Sequence, residues 1–187
     1  MIVTFQRRYK ENVPLQTITK FVADVIIVVC AAFVLISNVC ARTQIIGNSM
    51  NAIFENNDSV LINKMHYAFS SPKRFDVIAF KAEGLNSSRI YVKRVIALPG
   101  ETSQIREGKV LVNGQVLSED VSDADILTAG LVAEPVTLHE DEFFVLGDNR
   151  NNSEDSRFSN IGMVRENNIL GKVWMITSPV SRMRIIF

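Results

Sequence analysis

A serine and a lysine are the residues of this chain whose setting favours catalysis. Ser49 follows Gly47 and Asn48 and precedes the apolar Met50, while Lys93 lies inside a run of β-branched residues. Burial disfavours an ammonium ion and lowers its pKa, so a buried lysine can hold a neutral amine near pH 7. Such an amine can take the proton of a serine hydroxyl as a general base. Ser49 and Lys93 are therefore candidates for a nucleophile and its base.

The segment "RIYVKRVIAL", residues 89–98, predicts a β-strand around Lys93. Strand alternation separates two sets of side chains: Tyr91, Lys93 and Val95 on one face, and Val92, Arg94 and Ile96 on the other. One of Lys93 and Arg94 should then point toward the core. Structural explanations stay open, because a lysine on an edge strand discourages aggregation and a lysine stem can lie on apolar surface with its amine in water.

The loop "GDNRNNSEDSR", residues 147–157, holds three acidic and two basic side chains. It could be a solvated turn, a calcium loop, or the support of an active site elsewhere in the chain. The calcium hypothesis fails, because the sixth position from Asp148 is Ser153 instead of glycine, and the twelfth is Ser159 instead of glutamate. The other two explanations remain.

Neither a metal site nor a cofactor is predicted. His66 and His139 are isolated in different segments, and the two cysteines, Cys30 and Cys40, both fall in an apolar N-terminal segment. The cysteines would lie about 15 Å apart along one helix and could not form a disulfide. The formal net charge is zero, so composition indicates no nucleic-acid partner.

The N-terminal region resembles a membrane anchor. Residues 25–41 carry no charge and would form about 25 Å of helix, the short end of a bilayer span. A cleaved signal peptide and a buried core helix are alternatives, but the segment is apolar on all sides, which favours a retained anchor. Basic residues precede it: Arg7, Arg8, Lys10 and Lys20. They predict a single-pass protein of the cell membrane with its N-terminus in the cytoplasm.

Three regions follow from this interpretation: a cytoplasmic basic segment at 1–20, a transmembrane anchor at 21–41 in the lipid bilayer, and an extracytoplasmic domain at 42–187. In the last region, short apolar runs between turn signals predict strands: "SVLIN", "FDVIAF", "RIYVKRVIAL", "KVLVNGQVL", "EFFVLGD" and "ILGKVWMI". Asn113-Gly114 predicts a hairpin turn, and residues 118–135 predict a surface excursion. The predicted fold is mostly β, an antiparallel sandwich or coiled sheets.

The chain resembles the type I signal peptidases, in their compact bacterial form with one anchor and a Ser-Lys dyad. The resemblance runs from the span nearly to the C-terminus and rests on ordered blocks: "GNSM", "KRFDVIAF", "YVKRVIALPGE" and "GDNRNNSEDSRFSNIGMV". It implies a coiled-sheet peptidase domain of that type. It also implies a membrane-anchored serine endopeptidase that removes signal peptides from exported preproteins.

The resemblance also implies residue roles. Ser49 would be the nucleophile, Lys93 the general base and Ser153 the serine that orients the lysine amine. A polar network would surround them: Asp148, Arg94, Asp155 and Arg157. Ile45, Tyr91 and Val92 would form small apolar pockets for an Ala-x-Ala cleavage site. The Ser49 N–H would stabilise the oxyanion, whereas Gly47 stands where some relatives carry a hydroxyl donor.

The chain departs from the family's usual Ser-Met-x-Pro-Thr, because Ala52 and Ile53 replace the proline and threonine. Loss of proline could loosen the segment after Ser49. This leaves an alternative open: a signal-peptidase-like accessory protein that binds exported surface proteins and assists their assembly without cleavage. A membrane-anchored β-rich binding module is a further alternative, and it would require the four blocks to be coincidental.

Overall fold

The computed structural model describes residues 13–82, 89–118 and 125–186, and it divides into two compact units, 1–38 and 39–187. Helix α1 (Val13–Val39) contains a stretch, Gln16–Val34, that is long and apolar enough to cross a membrane. None of that stretch is buried, which does not match a core helix. The helix ends at Val39, so Cys40 and Ala41, which the sequence placed in the anchor, belong to the first strand.

The larger antiparallel sheet holds eight strands among the described residues. Seven of them follow one hydrogen-bonded order: β1 (Cys40–Gln44), β2 (Ser59–Asn63), β11 (Ile169–Ser178), β3 (Val77–Phe80), β4 (Tyr91–Ala97), β9 (Glu142–Leu146) and β10 (Val164–Arg165). The eighth, β12 (Arg184–Ile185), pairs with β11. All of these pairings are antiparallel, and several contain register shifts, so the sheet curls as predicted.

A second antiparallel sheet follows the order β7 (Gln115–Val116), β6 (Lys109–Val112), β5 (Thr102–Arg106) and β8 (Val136–Thr137). Asn113 and Gly114 connect β6 to β7 with φ angles of 52° and 77°. Positive φ at both central residues is the type I′ turn, so the predicted hairpin is confirmed. Short 3₁₀ turns connect other strands: His66–Ala68, Gly130–Val132, Glu166–Asn168 and Val180–Arg182.

Strand β4 lies inside the large sheet, between β3 and β9, and all seven of its residues are buried. The edge-strand explanation of Lys93 is therefore wrong. The expectation that only one of Lys93 and Arg94 faces the interior is also wrong, because both are buried, at 3% and 4% exposure. The two faces of β4 are both covered here, so strand alternation sends each cation into a different buried environment.

The segment 118–135 is not purely a surface excursion. Residues 119–124 lie outside the described part of the chain, but Ile126 and Val132 are buried in a core cluster together with Phe144. The sequence misled here because isolated apolar residues in an irregular segment carry no periodic pattern. Hydrogen bonds also join this segment to the loop at 147–157: the Leu127 N–H donates to the Asn151 side chain.

Close packing at Gly171 of β11 generates a prediction about the sheet. Gly171 has φ +149°, and a Cβ there would lie 2.2 Å from the backbone oxygen of Asn63 in β2. Gly171→Ala should lower the free energy of unfolding by more than about 2 kcal/mol, because backbone would have to move. The matched control is Gly100→Ala, where φ is +76° and the added Cβ meets nothing within 4 Å. Strain alone should make the control cost about 1 kcal/mol.

Urea unfolding of the full chain in detergent measures both variants. Equal losses of stability in Gly171→Ala and Gly100→Ala would contradict the close β2–β11 approach.

Candidate active site

Ser49 lies in a tight turn between β1 and β2. The turn is closed by backbone hydrogen bonds, from Asn51 N to Asn48 O at 3.2 Å and from Phe54 N to Met50 O at 2.8 Å. Met50 and Phe54 are almost fully buried, so their side chains anchor the turn in the core. Ser49 itself is half-buried, which leaves its hydroxyl at the edge of a cleft. We call residues 48–54 the nucleophile turn.

The structure brings Lys93 to Ser49. The Lys93 Nζ atom lies 2.6 Å from Oγ of Ser49 and forms a hydrogen bond with it. Burial lowers the pKa of Lys93 to about 8, although the charges of Asp155 and Glu154 oppose this shift. In the neutral form the amine accepts the hydroxyl proton, so the contact has the geometry that a general base requires.

Arg94, the neighbour of Lys93 on β4, enters a different polar site. Its Nε and Nη2 atoms donate to the two carboxylate oxygens of Asp148, each at 2.8 Å, and its Nη1 donates to the Phe75 carbonyl at 2.7 Å. Both charged side chains are buried. A bidentate pair of this kind satisfies the charge and fixes the planes of both groups. The pair therefore holds the start of the loop at 147–157 against β4.

A second buried ion pair organises the end of the loop. Arg157 donates to Asp155 through Nε at 2.7 Å and through Nη2 at 2.9 Å. Asp155 also accepts from the Gly147 N–H at 3.1 Å, and the Arg157 guanidinium donates to the Arg150 and Thr128 carbonyls. The opposite charges thus satisfy one another inside the loop, so it is not a solvated turn.

The loop contacts the nucleophile turn through its backbone. The Asn149 N–H donates to the Ser49 carbonyl at 2.9 Å, and the Asn149 side chain donates to the Asn48 carbonyl at 3.1 Å. Sequence reasoning did not single out Asn149 or the buried Arg150, whose Nε donates to the Gly147 carbonyl. The one sequence feature that could have indicated them is their position next to Asp148 in the same polar loop.

Ser153 lies beside the dyad but does not reach the lysine amine. A Cβ added at Gly147 would lie 2.2 Å from Ser153 Oγ and 2.5 Å from the Ser49 carbonyl, so these atoms crowd around Gly147. Ser153 Oγ is buried and, among the described residues, has no hydrogen-bond partner. The expected hydrogen bond to Lys93 is therefore not formed in this structure, and the orienting role of Ser153 stays a prediction.

A cleft of about 360 Å³ opens in front of Ser49 and Lys93. The three residues expected to form substrate pockets, Ile45, Tyr91 and Val92, all line it. Within the described residues the Ser49 N–H makes no hydrogen bond, so it is available to an oxyanion. The cleft places a serine hydroxyl and a buried amine beside apolar side chains, and polar ones such as Arg89 and Glu154 complete its lining, an arrangement suited to acyl transfer from a peptide.

Comparison with known proteins agrees with this chemistry. The family model for signal peptidase, peptidase S26, matches residues 18–178. Signal peptidase I of Leptolyngbya laminosa is 40% identical over 143 residues, which are 72% of this chain and 67% of that protein. Signal peptidase I V of Bacillus subtilis (strain 168) is 34% identical over 164 residues, covering 82% of this chain and 94% of the relative.

Two further matches extend the comparison. The probable signal peptidase I-2 of Synechocystis is 30% identical and covers 99% of this chain and 84% of that protein. A crystal structure of a signal peptidase I from Enterococcus faecalis V583 is 33% identical, with a TM-score of 0.46, and covers 55% of this chain and 97% of that one. From the family match over most of its length, this chain belongs to the signal peptidase family, peptidase S26.

Proposed function

We propose that this protein is a membrane-anchored serine endopeptidase that removes signal peptides from exported preproteins. The observation that carries the proposal is the 2.6 Å contact between Ser49 Oγ and the buried Lys93 amine at the cleft. Membership of the signal peptidase family supports the reaction and the class of substrate. Relatives named signal peptidase I give no support to a non-cleaving accessory protein.

The reaction starts with the neutral amine of Lys93. As Ser49 Oγ attacks the scissile carbonyl carbon, the amine takes the hydroxyl proton and becomes an ammonium. The oxyanion that forms on the carbonyl oxygen accepts a hydrogen bond from the Ser49 N–H. The ammonium then protonates the leaving amine of the mature protein, and an acyl-enzyme with the signal peptide remains. Lys93, neutral again, then takes a proton from a water molecule that attacks the ester carbonyl carbon. As the bond between that carbon and Ser49 Oγ breaks, Lys93 returns the proton to Oγ and the signal peptide leaves as a carboxylic acid.

Part of the cleft wall offers apolar contacts to residues beside the cleaved bond. Ile45, Tyr91 and Val92 are buried at 5%, 7% and 8% exposure and all line the cleft. The same cleft is also lined by Gln44, Arg89 and Glu154, so the desolvation of a polar or charged side chain would be uncompensated only at the part that the three apolar residues form. This supports a cleavage site of the Ala-x-Ala type.

The loop at 147–157 acts as a support for the dyad. The Arg94–Asp148 and Asp155–Arg157 pairs fix the loop backbone. The Asn149 N–H of this loop donates to the Ser49 carbonyl and so holds the backbone at Ser49. Residues that orient catalytic groups in this way affect the reaction rate, because a small displacement of a reacting atom lowers it strongly. Ser153 is the residue that the resemblance assigns to orienting the Lys93 amine, and its buried Oγ has no hydrogen-bond partner among the described residues.

Helix α1 would anchor the enzyme in the bilayer, since Gln16–Val34 is apolar and unburied. The basic residues near the N-terminus predict that this end is cytoplasmic, and that residues 42–187 face the outside, where exported preproteins emerge.

One prediction of the peptidase function concerns Lys93 as the base. Arginine keeps its charge at any usable pH, so Lys93→Arg should be as inactive as Lys93→Ala. Each should lose at least about 10²-fold to 10⁴-fold in kcat. Wild-type activity should rise with pH through a midpoint near the lowered pKa of about 8, because only the neutral amine accepts a proton.

The measurement is the cleavage rate of one preprotein by each variant across pH. His66→Ala and His139→Ala are the controls, since both histidines are exposed, and they should cleave at the wild-type rate. Near wild-type activity in Lys93→Arg would remove Lys93 from the mechanism. Reaction of a serine-directed acylating probe at Ser49 would separately distinguish the enzyme from the accessory protein.

Ser153→Ala should lower kcat by about 10- to 100-fold if its hydroxyl orients the lysine amine, with KM nearly unchanged. Ser159→Ala in the same region is the matched control, because Ser159 is exposed. Equal kcat values for the two variants would show that Ser153 has no orienting role.

Orientation gives a further prediction. Protease added to intact spheroplasts should digest residues 42–187 and spare a tag fused to the N-terminus, because the basic cluster stays inside. Immunoblots against the tag and against the domain show which of the two the protease has digested. Protection of the domain until the membrane is lysed would contradict this orientation.

A further inference from the structure

Two arginines near the C-terminus converge on one carbonyl of the nucleophile turn. Arg184 Nη2 donates to the Ile53 carbonyl at 2.7 Å, and Arg182 Nη2 donates to the same oxygen at 3.3 Å. Ile53 closes the turn, since its N–H donates to the Met50 carbonyl at 3.0 Å. A backbone carbonyl that receives two charged donors is held more strongly than one in an ordinary turn.

Arg182 is fixed by a buried carboxylate. Its Nε and Nη2 each lie 3.1 Å from Asp58, which is 2% exposed, and it also pairs with Glu55. Asp58 in turn accepts from the Glu55 N–H at 2.8 Å, and its own carbonyl accepts from the Ile45 N–H at 2.8 Å. Asp58 thus joins Arg182 to the exit of the nucleophile turn and to the Ile45 wall of the cleft.

Arg184 is fixed through its backbone. It starts β12 and pairs with Ile176 of β11, and the Ile186 N–H donates to the Trp174 carbonyl at 2.8 Å. Ile186 is buried in the same core cluster as Met50. The arginine therefore approaches Ile53 from a strand that belongs to the large sheet.

Besides its buried Met50 and Phe54 side chains, the nucleophile turn is held by hydrogen bonds at two places. Asn149 binds the Ser49 carbonyl from the loop at 147–157, and the arginines bind the Ile53 carbonyl from the C-terminal segment. Between them lies Ala52, which is exposed and whose N–H makes no hydrogen bond within the described residues. The hydrogen bonds at both ends thus add to the buried Met50 and Phe54 side chains in keeping Ser49 Oγ in contact with Lys93.

We propose that Arg184 and Arg182 are positioning residues that hold the nucleophile turn through the Ile53 carbonyl and so keep the Ser49 hydroxyl at the Lys93 amine. This rests on the proposed peptidase function. It assigns a catalytic consequence to a C-terminal segment that, among the described residues, supplies none of the side chains lining the cleft.

Arg184→Ala should lower kcat by about tenfold or more and change KM little, because a small displacement of the nucleophile affects the reaction rather than substrate binding. Arg184→Lys keeps the charge but loses the planar fork, so its kcat should fall between those of Arg184→Ala and the wild type. Arg106→Ala is the matched control, since Arg106 is an exposed arginine on β5 of the small sheet, and it should leave kcat unchanged.

A second substitution tests whether the effect acts through the turn. Ala52→Pro restricts the turn backbone without an arginine and removes an N–H that has no partner. Alone it should leave activity near wild type. Combined with Arg184→Ala it should restore most of the lost kcat, whereas a general loss of stability elsewhere in the protein would not be repaired at this position.

Hydrogen exchange of the Ile53 and Phe54 amides in the full chain in detergent gives a readout without catalysis. Both amides donate to the Met50 carbonyl, so they should exchange faster in Arg184→Ala and more slowly again in the Ala52→Pro double variant. Wild-type kcat and unchanged exchange in Arg184→Ala would overturn the inference. So would a lower kcat accompanied by unchanged exchange at these amides. Failure of the wild-type protein to cleave any preprotein would instead count against the peptidase function, and the exchange experiment would still decide the role of the arginines.

Discussion

The burial of one amine is the constraint on which the rest of the site depends. Lys93 must leave water for its pKa to fall to about 8, yet it must still touch the Ser49 hydroxyl at the edge of a cleft. Strand β4 meets both requirements because it lies between β3 and β9 and is buried along its whole length. An edge strand would leave the amine hydrated and protonated. The curled sheet thus gives Lys93 the burial that its proposed role as a base requires.

Much of this architecture was predictable from the sequence, because long apolar runs carry the signal for strands. The segment "SVLIN" coincides with β2, and Asn113-Gly114 forms the predicted hairpin turn. Strands β1 and β5 were missed since "CARTQ" and "TSQIR" are too polar to stand out. Helix α1 ends at Val39, two residues before the predicted end of the anchor at 41. Cys40 and Ala41 are as apolar as the helix, and only their pairing with β2 reveals a strand.

The candidate site also has one part that the sequence predicted and another that it did not. Ordered motifs indicated Ser49 and Lys93, and the fold brings them together. The burial of both faces of β4 was not predictable, since it depends on which segments cover the sheet. The contact of Arg184 with Ile53 spans 131 residues of chain and leaves no local pattern. Long-range polar contacts are decided by tertiary structure, so a single sequence does not display them.

The ion pairs around the dyad have an electrostatic logic of their own. In a Ser-His-Asp triad a carboxylate stabilises the positively charged base. A lysine base needs the opposite, because a carboxylate nearby favours the ammonium and removes the neutral form; Asp155 and Asp148 both act on Lys93 in this direction. Each of these carboxylates is engaged by an arginine, Arg157 and Arg94 respectively, and these pairs make the loop rigid. Burial of the amine outweighs the carboxylates, and the charge of Arg89, which also lines the cleft, lowers the pKa of Lys93 further.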